Sequence, residues 1–239
     1  MPATPIIVKA EEFDVSKISF KDTEGVNTGG RVNMTKIPLT YEERPLVLQT
    51  PVFQRCAVRG FGKKSEGDKV AVVFYQSIKY KDEEFYARDV IGSISNAVKT
   101  YIKSNVRSLF QRKKDSVSDL TYYDPAPEGS DTVKTAVPTA SRDDMTPAKE
   151  VRFYSKDVKE LTKQQAEDYL EENKRMVSGR ALVSVPYAYV INKQAYGLKN
   201  MLCSLQFMEK PEDCKVMSEE EMSSKSGVSG MLDMGAAFC

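Results

Sequence analysis

Ala181-Leu-Val-Ser-Val-Pro-Tyr-Ala-Tyr-Val-Ile191, then Asn-Lys-Gln-Ala-Tyr-Gly197, then Leu198-Lys-Asn-Met-Leu-Cys-Ser-Leu-Gln-Phe-Met208 is the stretch that decides the architecture. Two runs rich in β-branched, aromatic and aliphatic residues flank a connection short enough to join them as a hairpin. Pro186 has no amide hydrogen to donate, so it predicts a kink in the first strand. Gly197 predicts a turn or a bulge.

Shorter pieces extend the pattern upstream. Val70-Ala-Val-Val-Phe-Tyr-Gln-Ser-Ile78 is a near-continuous apolar run and predicts a strand buried on both faces. Pro45-Leu-Val-Leu-Gln-Thr-Pro51, framed by prolines, predicts a strand at a sheet edge or one that stops abruptly. Phe13, Val15, Ile18 and Phe20 alternate with one slip, and Thr28-Gly29-Gly30 predicts a turn before a strand over 32–39. Residues 151–155 predict another short strand.

Two segments carry helical periodicity. Ile91, Ile94, Val98, Ile102, Val106, Leu109 and Phe110 recur every three or four residues and predict an amphipathic helix over 90–113. No acidic residue occurs between Asp89 and Asp115, and Lys99, Lys103 and Arg107 form one stripe. Like charges four residues apart cost an isolated helix a few tenths of a kcal/mol each. Thr162 followed by Gln165 is a capping box opening a charged helix over 162–176, with Leu161 placed as a staple. Residues 124–148 hold four of the eleven prolines, with Gly129, Ser130 and Ser141 among them. With so few large apolar residues the segment predicts a loop or linker.

Composition closes off much chemistry. The 239 residues contain no His and no Trp. Ser-His-Asp triads, Cys-His dyads and His-ligated metals are therefore excluded. There is no Walker A loop and no dinucleotide fingerprint, so no cofactor is expected. Cys56, Cys203, Cys214 and Cys239 are too scattered for a zinc ribbon or redox pair, and read as free thiols of a reducing compartment. Glu83-Glu84 and Asp143-Asp144 are the nearest approach to a divalent-cation site, yet adjacent carboxylates are usually solvated surface, and no metal is expected. No apolar run approaches the roughly 18 residues of a membrane span, and no signal peptide opens the chain. An intracellular, non-enzymatic protein is the expectation.

The formal charge of +1 hides an asymmetry. Residues 209–239 carry seven acids and three bases, whereas residues 1–208 carry 32 bases and 27 acids. A body of +5 thus meets a tail of −4, which reads as a mobile acidic arm with an apolar tip (Met231, Leu232, Met234, Phe238). Within the body, Phe53-Gln-Arg55-Cys-Ala-Val-Arg59-Gly-Phe61-Gly-Lys63-Lys64 interleaves cations with aromatics. Tyr75, Lys79, Tyr80, Lys81, Phe85, Tyr86 and Arg88 continue the theme across an expected hairpin. Cations track phosphates and aromatic faces stack bases, so this pairing suits a nucleic-acid strand. The plainer reading is ordinary strand formers beneath a solvated basic face. The candidate nucleic-acid contacts are Arg55, Arg59, Lys63, Lys64, Tyr75, Lys79, Tyr80, Lys81, Lys99, Lys103 and Arg107.

Ile37-Pro-Leu-Thr-Tyr41, Pro45-Leu-Val-Leu-Gln-Thr-Pro51, and Tyr196-Gly-Leu198 leading into Leu202-Cys-Ser-Leu-Gln-Phe207 resemble segments of a family from nucleo-cytoplasmic large DNA viruses. That family is similar to phage-type single-stranded DNA-binding proteins, whose core is an oligonucleotide-binding (OB) barrel. The resemblance implies an α+β protein: an OB-like antiparallel barrel in residues 1–208, elaborated by the two helices, and an acidic tail over 209–239. It also implies that Glu219, Glu220, Glu221, Asp233 and Phe238 contact partner replication proteins or cover the groove. The chain departs from the family type in a less acidic tail and in ending at Cys239 rather than at the aromatic. The expected function is coating of single-stranded DNA during viral replication, recombination or repair, in the host cytoplasm, nucleus or viral factory. A second copy of the chain stays open as a partner, and no membrane is expected. The alternative is a viral structural or minor virion assembly protein acting through protein contacts.

Overall fold

The computed structural model describes residues 3–27, 33–59, 73–110, 120–139, 150–174 and 176–209. The strands, in chain order, are β1 (Ile6–Lys9), β2 (Ile18–Phe20), β3 (Glu24–Asn27), β4 (Asn33–Tyr41), β5 (Leu46–Gln49), β6 (Phe53–Arg59), β7 (Val73–Ser77), β8 (Thr121–Tyr123), β9 (Thr132–Ala136), β10 (Arg152–Tyr154), β11 (Glu160–Leu161), β12 (Met176–Ile191) and β13 (Ala195–Met208). The helices are α1 (Lys81–Phe85), which runs through a π-helical stretch (Tyr86–Ile91) into α2 (Gly92–Ser104), then α3 (Val106–Phe110) and α4 (Lys163–Glu172).

The predicted hairpin is the spine. β12 and β13 pair antiparallel from Ser178–Met208 to Ile191–Ala195. The pairing slips between Ser184 and Tyr187, across Pro186, which cannot donate to a ladder. At that slip β12 changes neighbours. Its first part pairs with β6 and then β5, and Tyr187–Ile191 pairs with β4.

A barrel closes on the first part. β12 pairs β6, β6 pairs β7, β7 pairs β9, β9 meets β13 through Met201–Ala136, and β13 returns to β12. Counting β6, β7, β9, β12 and β13 as one to five, the ring runs 1-2-3-5-4-1. Every neighbour is antiparallel except the third and fifth strands. That order, in a closed five-stranded Greek-key barrel, is the OB topology. Inside it Phe53, Cys56, Val58, Phe74, Val133, Val183, Leu205 and Phe207 are fully or nearly fully buried.

The second half of the hairpin projects past the barrel as an extension sheet. β4 lies against β12, β3 and β2 lie against β4, and β8 lies against β13. Helix α2 buries Ile94, Val98 and Ile102, and contacts β13. Tyr101 packs on Phe20 at 4.5 Å, and Phe110 of α3 meets Tyr196 edge-on at 6.4 Å. Helix α4 opens with the expected box: Thr162 Oγ1 accepts from Gln165 N, and Gln165 Oε1 accepts from Thr162 N. Its Tyr169 stacks on Phe207 at 4.5 Å.

Several expectations need correction. Residues 124–148 are not a plain linker, because β9, the third barrel strand, lies within them. The run at 73–77 alternates in burial and is not covered on both faces, since its outer side faces away from the barrel interior. β5 is not an edge strand, as β1 pairs its free side in parallel, but it does stop abruptly, at Gln49. Two 3₁₀ turns, Ala10–Glu12 and Val15–Lys17, stand in place of the expected alternating strand, leaving only Ile18–Phe20 paired as a strand. The long helix begins at Lys81 rather than 90, so Lys81 to Arg88 lie on a helix and not across a hairpin. It breaks at Asn105 (φ −118°, ψ 18°), whose side-chain amide donates to Tyr101 O. Gly197 is neither turn nor bulge but a strand residue directly opposite Tyr189. The turn expected at 28–30 and the helical stretch expected over 111–113 lie outside the described residues.

Candidate nucleic-acid interface

Strand alternation sorts the barrel residues into two faces. On β6, β7 and β9 the side chains of Cys56, Val58, Phe74, Gln76, Val133 and Thr135 are buried. Arg55, Ala57, Tyr75, Ser77 and Lys134 therefore take the outer face. The register sets Ala57, Tyr75 and Lys134 side by side across the three strands, with Arg55 two residues along β6. Arg55 and Lys134 are exposed and Tyr75 is half-buried. The five barrel strands together contain Arg55, Arg59, Lys134, Arg180 and Lys199 and not one carboxylate.

Of the residues predicted from sequence, the structure brings Arg55 and Tyr75 onto this face. Lys79, Tyr80 and Lys81 follow directly from the end of β7. Their turn is held by Glu83, which is 1% exposed. Its carboxylate accepts from Lys79 N at 2.7 Å, Tyr80 N at 3.0 Å and, from the neighbouring barrel strand, Gln54 N at 2.8 Å. All of its role is thus structural, and the cation-site reading of Glu83-Glu84 loses one of its carboxylates. Arg88 is likewise structural, donating to the carbonyls of Ala126, Pro127 and Ser130 and so pinning the approach to β9.

Lys99, Lys103 and Arg107 sit apart from the barrel strands, on α2 and α3. The Lys99 ammonium lies 3.7 Å from Asp124 Oδ2 and 4.6 Å from the centroid of Tyr122. Ser95 Oγ and Ala126 N also donate to Asp124, so this pair fastens the helix to the chain leaving β8. Lys103 and Arg107 are exposed around an open hollow with Ser104, Asn105 and Ser108. Lys63, Lys64, the Arg59 side chain, and the tail residues Glu219, Glu220, Glu221, Asp233 and Phe238 lie outside the described residues. Asp143-Asp144 does too.

Lys134, Lys199, Lys36, Tyr187 and Tyr189 escaped the sequence reading. Burial pulls the Lys199 ammonium below the usual lysine range, with no carboxylate acting to raise it. Burial also raises the phenols of Tyr187 and Tyr189. Inside the barrel, burial above all, reinforced by the nearby Glu83 charge, pushes the Cys56 thiol far above its ordinary value, so it is an inert core group. Among the described residues no cluster of three or more His, Cys, Asp or Glu could hold a metal, and no helix is long and apolar enough to cross a membrane.

No family model and no curated protein sequence matches this chain. Among solved structures it is similar to a C-terminally truncated single-stranded DNA-binding protein from bacteriophage Enc34, at 12% identity and a TM-score of 0.36, covering 80% of this chain and 96% of that one. The phage protein in complex with single-stranded DNA matches at 12% identity and a TM-score of 0.34, covering 79% and 96%. The class that the fold defines here, an elaborated OB barrel, rests on the chain's own strand order and its parallel third and fifth strands.

Proposed function

We propose that this chain binds single-stranded DNA along the outer face of its first three barrel strands, centred on the second and third. The observation that carries the reading is electrostatic: five barrel strands with five cations and no carboxylate, in an OB ring. OB barrels receive oligonucleotides on that face and between the loops joining strands one to two and four to five. In this chain the connections at those two places are residues 60–72, which hold Lys63 and Lys64 and lie outside the described residues, and residues 192–194. Tyr75 supplies a face for a base, with Arg55 and Lys134 for the flanking phosphates. The action proposed is stoichiometric coating of exposed strands.

Replication, recombination or repair is the setting that such coating serves, and a large DNA virus is the source suggested by the sequence resemblance. The acidic residues 209–239 would compete for the groove and contact partner replication proteins. Charge reversal tests the location of the site. Arg55→Glu with Lys134→Glu should reduce oligo-dT affinity by at least about tenfold. Lys103→Glu should change it far less. Loss of binding from Lys103→Glu with retention in the double variant would move the site to the helix.

A further inference from the structure

The outer face does not end at the barrel. Met201 of β13 stands opposite Ala136 of β9 in a parallel pair. Lys199 and Lys134 each lie two residues earlier, on that same face. The connection is tight, because the buried Asn200 side chain donates to Lys134 O at 2.8 Å and to Thr135 Oγ1 at 3.2 Å. Lys199 is in turn paired with Tyr187 of β12, and Tyr187 with Pro38 of β4. One row further out, Tyr189 pairs with Lys36 on one side and Gly197 on the other, and Gly197 stands level with Tyr123 of β8. The opposite face of these strands is taken by Ile37, Ala188, Val190 and Leu198, all buried.

The side chains on the outer side are arranged as a platform. A Cβ placed on Gly197 would lie 2.6 Å from the Tyr189 hydroxyl oxygen and 2.9 Å from Tyr123 O. Tyr189 therefore lies across the neighbouring strand, where a side chain at 197 would have displaced it. The Lys36 ammonium stands 4.8 Å from the Tyr187 ring centroid. Glu24 is paired with Lys36 in the ladder, yet the lysine reaches over the tyrosine instead of forming an ion pair with it. Tyr123 is 53% exposed. Half-buried cations beside a row of tyrosine rings, of which Tyr123 is exposed, with Lys199 lacking any acidic partner among the described residues, suit a polyanion that also offers flat rings.

We infer that the extension sheet, through Lys36, Tyr123, Tyr187, Tyr189 and Lys199, is a second single-strand platform that continues the path from Tyr75 and Lys134. The inference rests on the proposed function and lengthens its site. Six neighbouring strands, from β6 to β4, span about 20–25 Å at the usual strand spacing. Of that width β6, β7 and β9 take about 10 Å, so the barrel face alone suits an oligonucleotide at the lower end of the OB range, about 4 nucleotides, and the combined surface, a little over twice as wide, suits one of about 8–10.

Oligo-dT of those two lengths separates the parts. In the full-length protein, Lys199→Met with Tyr187→Leu is expected to lower affinity for the long oligonucleotide by about tenfold or more and leave the short one within about twofold. Thermal melting of the variant keeps folding in view. As a check on unaltered protein, the long oligonucleotide alone should shield Lys36 and Lys199 from lysine acetylation. Equal losses at both lengths, no loss at either, or acetylation that the long strand leaves unchanged would overturn the inference while leaving the barrel site standing. Wild-type protein that binds neither length would overturn the proposed function as well.

Discussion

Glu83 should be among the most costly single residues to replace. Its buried carboxylate receives three backbone amides, two from the turn after β7 and one from β6. A hydrogen bond to a charged group contributes about 1.5–3 kcal/mol net, and the sum for three is offset by the cost of burying the carboxylate. Gln54 and Tyr80 are half-buried and Lys79 is exposed, so water could reach part of the gap left by truncation. Glu83→Ala should then destabilise by about 3–5 kcal/mol, with Glu83→Gln intermediate, since one amide oxygen can accept while its NH₂ opposes an N–H. Urea denaturation would read the change as a fall of roughly 1–2 M in midpoint. Amide exchange should accelerate first at Gln54, Lys79 and Tyr80. An alanine variant within about 1 kcal/mol of wild type, with those amides still protected, would refute the reasoning.

Three further outcomes follow from the same surfaces. Burial raises the phenols of Tyr86 and Tyr122 above their ordinary value of 10.0, so their neutral forms stabilise the fold fully below that pH and the stability is lost as pH rises beyond it. Phenolate absorbance should show these two ionising only together with cooperative loss of circular dichroism, and a fully reversible titration in the folded state would contradict the burial. Gly197→Ala should cost about 1–3 kcal/mol in thermal or urea unfolding, because its methyl meets Tyr189 and the Tyr123 carbonyl; unchanged stability would refute the close approach. Deleting residues 209–239 removes a net charge of −4 and should tighten oligo-dT binding, whereas weaker binding would mean the tail is part of the site.

The features readable from sequence were those that residue type and local spacing impose. The β12–β13 hairpin, its break at Pro186 and the Thr162 capping box needed only the dihedral and hydrogen-bonding limits of nearby residues. β9 was hidden because Thr132-Val-Lys-Thr-Ala136 holds one large apolar residue between prolines, and its burial comes from neighbours. Thr135, for example, is buried and accepts from Asn200, 65 residues away. Lys134 and Lys199 share a face only because the barrel closes, which no local pattern announces. The Lys99 stripe was legible as charge, but the carboxylate that engages it, Asp124, belongs to a segment read as linker. Glu83 looked like solvated surface beside Glu84, until the turn after β7 placed three amides around it.

The central claim is that a cationic, carboxylate-free barrel face holds a single strand through its phosphates and bases. Its most direct test is the affinity of the full-length protein for fluorescent oligo-dT across a salt series. Engagement of two phosphates, by Arg55 and Lys134, predicts binding of the short oligonucleotide at low salt with a log–log slope of about −1.4, and a slope shallower by about 0.7 after Lys134→Ala. Absence of binding at low salt, in both the full-length and the tail-deleted chain, would contradict the account.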